Sequence, residues 1–160
     1  MISVLSLVIS LIALAITSFV SLRQVALMRR ANLLPAFVDL LQEFRSGDFY
    51  SHQDFILYKL RNYSAKEGYS GLGENERTHF LMMFDYMSSM ACLVSFGIVD
   101  IHHVFAMYGY VFQDMWAQMR PFVDKERELT NREIGFAVED LCRKLSNVNF
   151  GAVAREIRLQ

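Results

Sequence analysis

Asp100, His102 and His103 form the densest grouping of metal-ligating side chains in this chain, and Asp85 and Asp114 are acids set within apolar stretches. Adjacent histidines on a helix point about 100° apart, so His102 and His103 cannot close on one ion as an i, i+4 pair does. The residue types suit zinc, but the ligand geometry that zinc requires is missing. A helix cap at Asp100 followed by surface or half-buried histidines accounts for the trio. Asp85 and Asp114 could in principle work as paired carboxylates. No nucleophile or base accompanies them, and buried acids commonly pair with Arg or line a polar seam. The chain carries no glycine-rich phosphate loop, no C-x-x-C and no G-x-S-x-G. The expectation is a protein with no catalytic residues, no metal and no cofactor. Asp85, Asp114, His102 and His103 are then its candidates for buried polar or ligand-contacting groups.

These side chains depend on helices for their placement. Residues 74–96 read as a helix that is apolar nearly all round, through Phe80, Leu81, Met82, Met83, Phe84, Met87, Met90, Leu93 and Val94, and such a helix belongs in a core or a membrane. Asp85, Ser88, Cys92 and Ser95 step by 3, 4 and 3 along it and make one narrow polar seam. Burying Asp85 in a bilayer costs about 2.5–3.5 kcal/mol, which favours the central helix of a bundle over a second span. Contact of residues 80–99 with a membrane stays open. Gly97 and Asp100 mark a turn into the next helix, whose inner face is Val104, Met107, Tyr108, Val111, Met115 and Met119 and whose end is set by Pro121. Residues 124–128, DKERE, read as a solvated charge cluster. Thr130 to Glu133, TNRE, fits a capping box for a last helix that uses Ile134, Val138, Leu141 and Leu145.

Upstream, Leu34, Phe37, Val38, Leu41 and Phe44 keep one apolar face over residues 35–45, with Gly47 as stop and Asp48 as the next N-cap. A helix is expected over residues 49–63, with Phe55, Ile56 and Leu60 inward. SAKEGYSGLG, residues 64–73, has three glycines and no periodicity, and reads as a connecting loop.

Residues 2–22 contain no charge, and thirteen of them are Leu, Ile, Val or Phe. A helix of that length rises roughly 31 Å, enough for the ~30 Å hydrocarbon core, so a transmembrane anchor is expected. Ala13-Leu14-Ala15 resembles a peptidase site, but no basic residue precedes the apolar run and the run continues beyond it, so a retained anchor is favoured over a signal peptide. Arg23, Arg29 and Arg30 lie only downstream, which sets the N-terminus outside and the domain in the cytoplasm. Ser3, Ser6, Ser10, Ala13, Thr17 and Ser21 share one small, polar helix face. That stripe fits a membrane-helix interface with a second copy or with a membrane-protein partner, or hydroxyls bonded back to their own helix. Pro35 marks the joint between anchor and domain.

Net charge is −1 with acidic and basic residues interspersed, which argues against a nucleic-acid surface. Cys92 and Cys142 sit in apolar helical patterns and are expected to be reduced packing residues. The nine methionines and thirteen phenylalanines could line a groove for a partner helix, although Met at helical spacing is usually core filling.

The stretch NLLPAFVDLLQEFRSGDFYSHQDFILYKL, with the preceding anchor and the later FDYMSSMACLVSFGIVD, resembles the bacterial domain-of-unknown-function family numbered 4760. The resemblance covers most of the chain. It implies an N-terminal membrane helix and a helical cytoplasmic domain, and brings no activity and no site residues. The expected protein is all-α: anchor 1–22, basic joint 23–34, a four- to five-helix bundle 35–146 and a tail 147–160. It would be single-pass in the bacterial cytoplasmic membrane, with the lipid bilayer and a homo-oligomer or membrane protein as partners. Its expected role is an interaction or scaffolding module. The alternative is a small-molecule-sensing regulatory domain with a pocket between the third and fourth helices.

Overall fold

The computed structural model describes residues 12–14, 16–24, 28, 35, 38, 39, 42, 46–149 and 151. The chain divides into two compact units, Met1–Val38 and Asp39–Gln160. Every regular element described is helical, as the hydrophobic periodicity required.

In the first unit, residues 12–14 and 16–24 are helical. The expected transmembrane helix is not found: among the described residues, no helix is long and apolar enough to cross a membrane. A span needs about 20 consecutive apolar residues. Ser3, Ser6 and Ser10 of the polar stripe, and Arg29 and Arg30, lie outside the described residues. Of the helix expected over 35–45, residues 35, 38, 39 and 42 are described, and all are helical.

The second unit is built on four α-helices: α1 (Gly47–Asp54), α2 (Glu74–Ser95), α3 (Ile101–Thr130) and α4 (Phe136–Ser146). Ser46, rather than Asp48, caps α1, its hydroxyl accepting from the Phe49 N–H at 3.2 Å, so Gly47 opens this helix instead of closing the one before. The helix expected over 49–63 changes pitch twice, to a π turn at Phe55–Lys59 and a 3₁₀ turn at Leu60–Asn62. The Leu60 N–H reaches back to the Phe55 carbonyl, and the wide turn leaves Phe55, Ile56 and Leu60 all buried. Another 3₁₀ turn, Ala65–Glu67, interrupts the glycine-rich connection.

α2 begins after Gly73 without a side-chain cap, but Glu74 and Glu76 in its first turn complement the positive helix end. Phe80, Met83, Tyr86, Met87, Met90 and Ala91 are its buried residues. At its C-terminus Gly97 takes φ +65° while the Ile98 N–H bonds to the Leu93 carbonyl at 2.9 Å. This is the glycine-terminated helix end that the sequence signalled.

α3 runs nine residues past its expected end at Pro121. The proline removes one amide donor, but its ring is exposed while Phe122 and Val123 beyond it are buried, and that apolar burial outweighs the lost bond. Thr130 therefore closes α3 instead of capping α4. Its hydroxyl donates to the Glu126 carbonyl at 2.7 Å, and Asn131 terminates the helix in the left-handed conformation at φ +51°. α4 starts later, after Gly135, and packs against both α2 and α3 through Val138, Leu141, Cys142 and Leu145.

The two cysteines diverge. Cys142 is buried with its thiol pushed up to about 12 by burial, whereas Cys92 is exposed and is not a packing residue. Thiolate is the reactive form. Native protein at pH 8 is therefore expected to take up a maleimide at Cys92 alone, and a second label only in denaturant. Two labels at equal rates under native conditions would contradict the packing of α4.

Candidate functional site

The residues singled out by sequence do not converge. Asp100 caps α3, accepting from the His102 N–H at 2.7 Å, and its carboxylate lies 3.0 Å from His102 Nδ1. The backbone bond from His102 holds the Asp100 carboxyl below the usual carboxylate range. His103 is exposed. Asp85 on α2 and Asp114 on α3, expected as buried polar groups, are both exposed. In the first unit, Thr17 Oγ1 donates to the Ala13 carbonyl at 2.8 Å, so its hydroxyl bonds back to its own helix, and Arg23 is exposed. Among the described residues, no group of three His, Cys, Asp or Glu could hold a metal ion.

Three polar arrangements were not foreseen. The first joins α1 to α2. His52 Nδ1 lies 2.7 Å from His79 Nδ1, between Phe49, whose ring meets His52 edge-on, and Phe55, stacked on His79 at 5.1 Å. One ring must donate and the other accept, so the contact requires at least one neutral histidine. The wide π turn that orients Phe55 directly follows α1, and such turns gather at functional positions. Two imidazoles alone do not complete a metal site.

His79 titrates below the ordinary value of 6.5, first because of burial and then because of the charges of His52 and Lys59, with Glu76 opposing. A depressed folded value means the unfolded chain binds the proton first. The contribution of His79 to stability is therefore full above about 6.5 and is lost as pH falls through its lower folded value. Thermal midpoints measured from pH 7 to 5 should fall more steeply in the native protein than in His79→Phe, which keeps the ring and removes the titration. Equal slopes would refute this.

The second arrangement involves Glu126, 5 % exposed within the segment read as solvated. Its carboxylate accepts from the Ser70 N–H at 3.0 Å and lies against Gly68, tying the 64–73 connection to α3. Tyr69, next in that connection, stacks on Phe80 at 5.1 Å. Its hydroxyl is raised above the ordinary phenol value by burial and then by the charges of Glu126 and Asp85, with Arg132 opposing. The third arrangement fastens α4. Arg127 donates to Asp124 at 2.9 Å, to Glu139 at 3.0 Å and to the Ile134 carbonyl at 2.7 Å, and Arg120 joins the same two acids. A cleft of about 370 Å³ beside this network is lined by Trp116, Arg120, Glu139, Cys142 and Arg143, and lies between α3 and α4. Its guanidinium groups already face carboxylates, Arg120 with Glu139 and Arg143 with Asp140. None of Asp85, Asp114, His102 and His103 lines it.

The fourth feature is a surface. α3 buries Val104, Phe105, Tyr108, Phe112, Met115, Trp116 and Met119 on one side. On the other, His103, Met107, Tyr110, Asp114, Ala117 and Pro121 are all exposed, Tyr110 at 63 % and Met107 at 40 %. Steps of 4, 3, 4, 3 and 4 put these six on one stripe. Asp114 is the single carboxylate on it. Met107 had been expected on the inner face. The period was legible from sequence, but which of two apolar stripes faces inward depends on where α2 and α4 lie.

A family model described as Domain of unknown function (DUF4760) matches residues 1–144. No curated protein and no solved structure matches the chain.

Proposed function

We propose, from the premise that this chain belongs to the family described as Domain of unknown function (DUF4760), that its helical domain is a non-enzymatic interaction module whose working surface is the outer face of α3. The observation that carries this is the contrast between the two sides of α3. The inner side is filled by buried aromatic and methionine side chains, so the exposure of Met107 and Tyr110 opposite is not a failure to build a core. Aromatic residues and Met are over-represented where proteins meet, because aromatic rings offer large apolar area with few rotatable bonds and the flexible Met thioether adapts to irregular surfaces.

The sensing alternative needs convergent polar groups in a pocket. The cleft between α3 and α4 has guanidinium groups, but these are engaged by Glu139 and Asp140. A catalytic reading needs a nucleophile beside a base, and the polar clusters described here serve instead to fasten α1, α4 and the 64–73 connection.

The test is photocrosslinking in living cells, with benzoylphenylalanine placed at Tyr110 and, as an exposed control, at Glu128. Discrete covalent adducts from position 110 and none from 128 are expected. The same background pattern from both positions would overturn the proposal.

A further inference from the structure

We propose that the partner of the outer face of α3 is a second copy of this chain, bound antiparallel about a two-fold axis level with Phe112. This rests on the interaction-module reading and names the occupant of that surface. The ground for it is the match of the stripe to its own reverse. In an antiparallel pair centred there, Met107 faces Ala117 of the second copy, Tyr110 faces Asp114, and His103 faces Pro121. Each layer thus sets a large side chain against a small one, or a donor against an acceptor.

Charge selects the direction. Asp114 is the one carboxylate on the stripe, and no described residue forms an ion pair with it. In a parallel pair the two Asp114 carboxylates would meet, and like charges at a desolvated seam repel. In the antiparallel pair each Asp114 accepts from the Tyr110 hydroxyl across the seam, a charge-assisted hydrogen bond made twice by the two-fold. A polar pair inside an apolar helix seam also sets register, because sliding by one layer leaves the carboxylate against Met107 or against the second Asp114. The stripe from His103 to Pro121 is about 27 Å long, so the interface is at the small end for specific complexes and the pair should exchange.

The experiment uses the full chain with Cys92→Ser, which removes the exposed native thiol. Met107→Cys is made in one tagged copy and Ala117→Cys in another, and each is oxidised alone and mixed. A disulfide-linked heterodimer in the mixture, with each single variant staying monomeric, is expected. Tyr110→Phe introduced in both copies should lower the yield about tenfold or more, through the hydrogen bonds it deletes, while circular dichroism shows the same helix content. Self-crosslinking of Met107→Cys alone, which indicates a parallel pair, or no crosslink in the mixture, would overturn the inference. If position 110 photocrosslinks to a different protein and the mixture stays uncrosslinked, this inference fails and the module reading stands. If neither crosslinks, both fail.

Discussion

Gly68→Ala is expected to destabilise the second unit by about 3–5 kcal/mol, the sum of a backbone penalty, an overlap and a weakened hydrogen bond. Gly68 has φ +68° and ψ −166°, a combination essentially restricted to glycine. A Cβ there would lie 2.3 Å from Glu126 Oε2, the oxygen that accepts from the Ser70 N–H. The carboxylate cannot retreat without giving up that bond, and Glu126 is buried, so water does not readily replace the lost donor. Gly97→Ala is the natural comparison. Its φ is also positive, at +65°, but nothing lies within 4 Å of the added carbon. It should lose only the backbone term, about 1–2 kcal/mol. Urea unfolding of the full chain, followed by circular dichroism, measures both. Equal losses for the two variants would show that the Glu126 clamp does not hold the connection.

Phe80→Ala should cost about 3–5 kcal/mol, as large aromatic-to-alanine changes in a closed core do. Phe80 is 0 % exposed and joins three elements: its ring stacks on Tyr69 of the connection and on Phe84 of α2, and tilts against Phe122 of α3 at 6.0 Å. Removing it empties the place where the connection, α2 and α3 meet. Asp85→Asn, five residues along the same helix and exposed, should change stability by no more than about 0.5 kcal/mol. A loss under about 1 kcal/mol for Phe80→Ala would mean that the core collapses around the gap.

These two positions show why the tertiary arrangement was only partly legible. Phe80 was recognisable as core from the apolar run around it, because a helix so continuously apolar must be covered. Gly68 and Glu126 were not. They are far apart in the chain, and nothing in a glycine-rich connection or in the run DKERE signals that one carboxylate will leave water to hold the other segment. The His52–His79 pair was hidden for the same reason: histidines 27 residues apart carry no spacing signal, and their meeting depends on how α1 lies on α2. Asp85 illustrates the opposite error. Its apolar neighbours suggested burial, yet one helix face can stay exposed when only part of the circumference is covered.

Sequence alone determined the all-helical class, the turn at Gly97, the cap at Asp100 and most of the buried residues of α2 and α4, because these follow from periodicity and local capping chemistry over a few residues. Tertiary structure decided the rest. It carried α3 through Pro121, since apolar burial of Phe122 and Val123 exceeds the loss of one amide bond. It moved the α4 start to Gly135 and chose which stripe of α3 faces inward. Each of those outcomes depends on what lies beside a helix, and no local pattern records its neighbours.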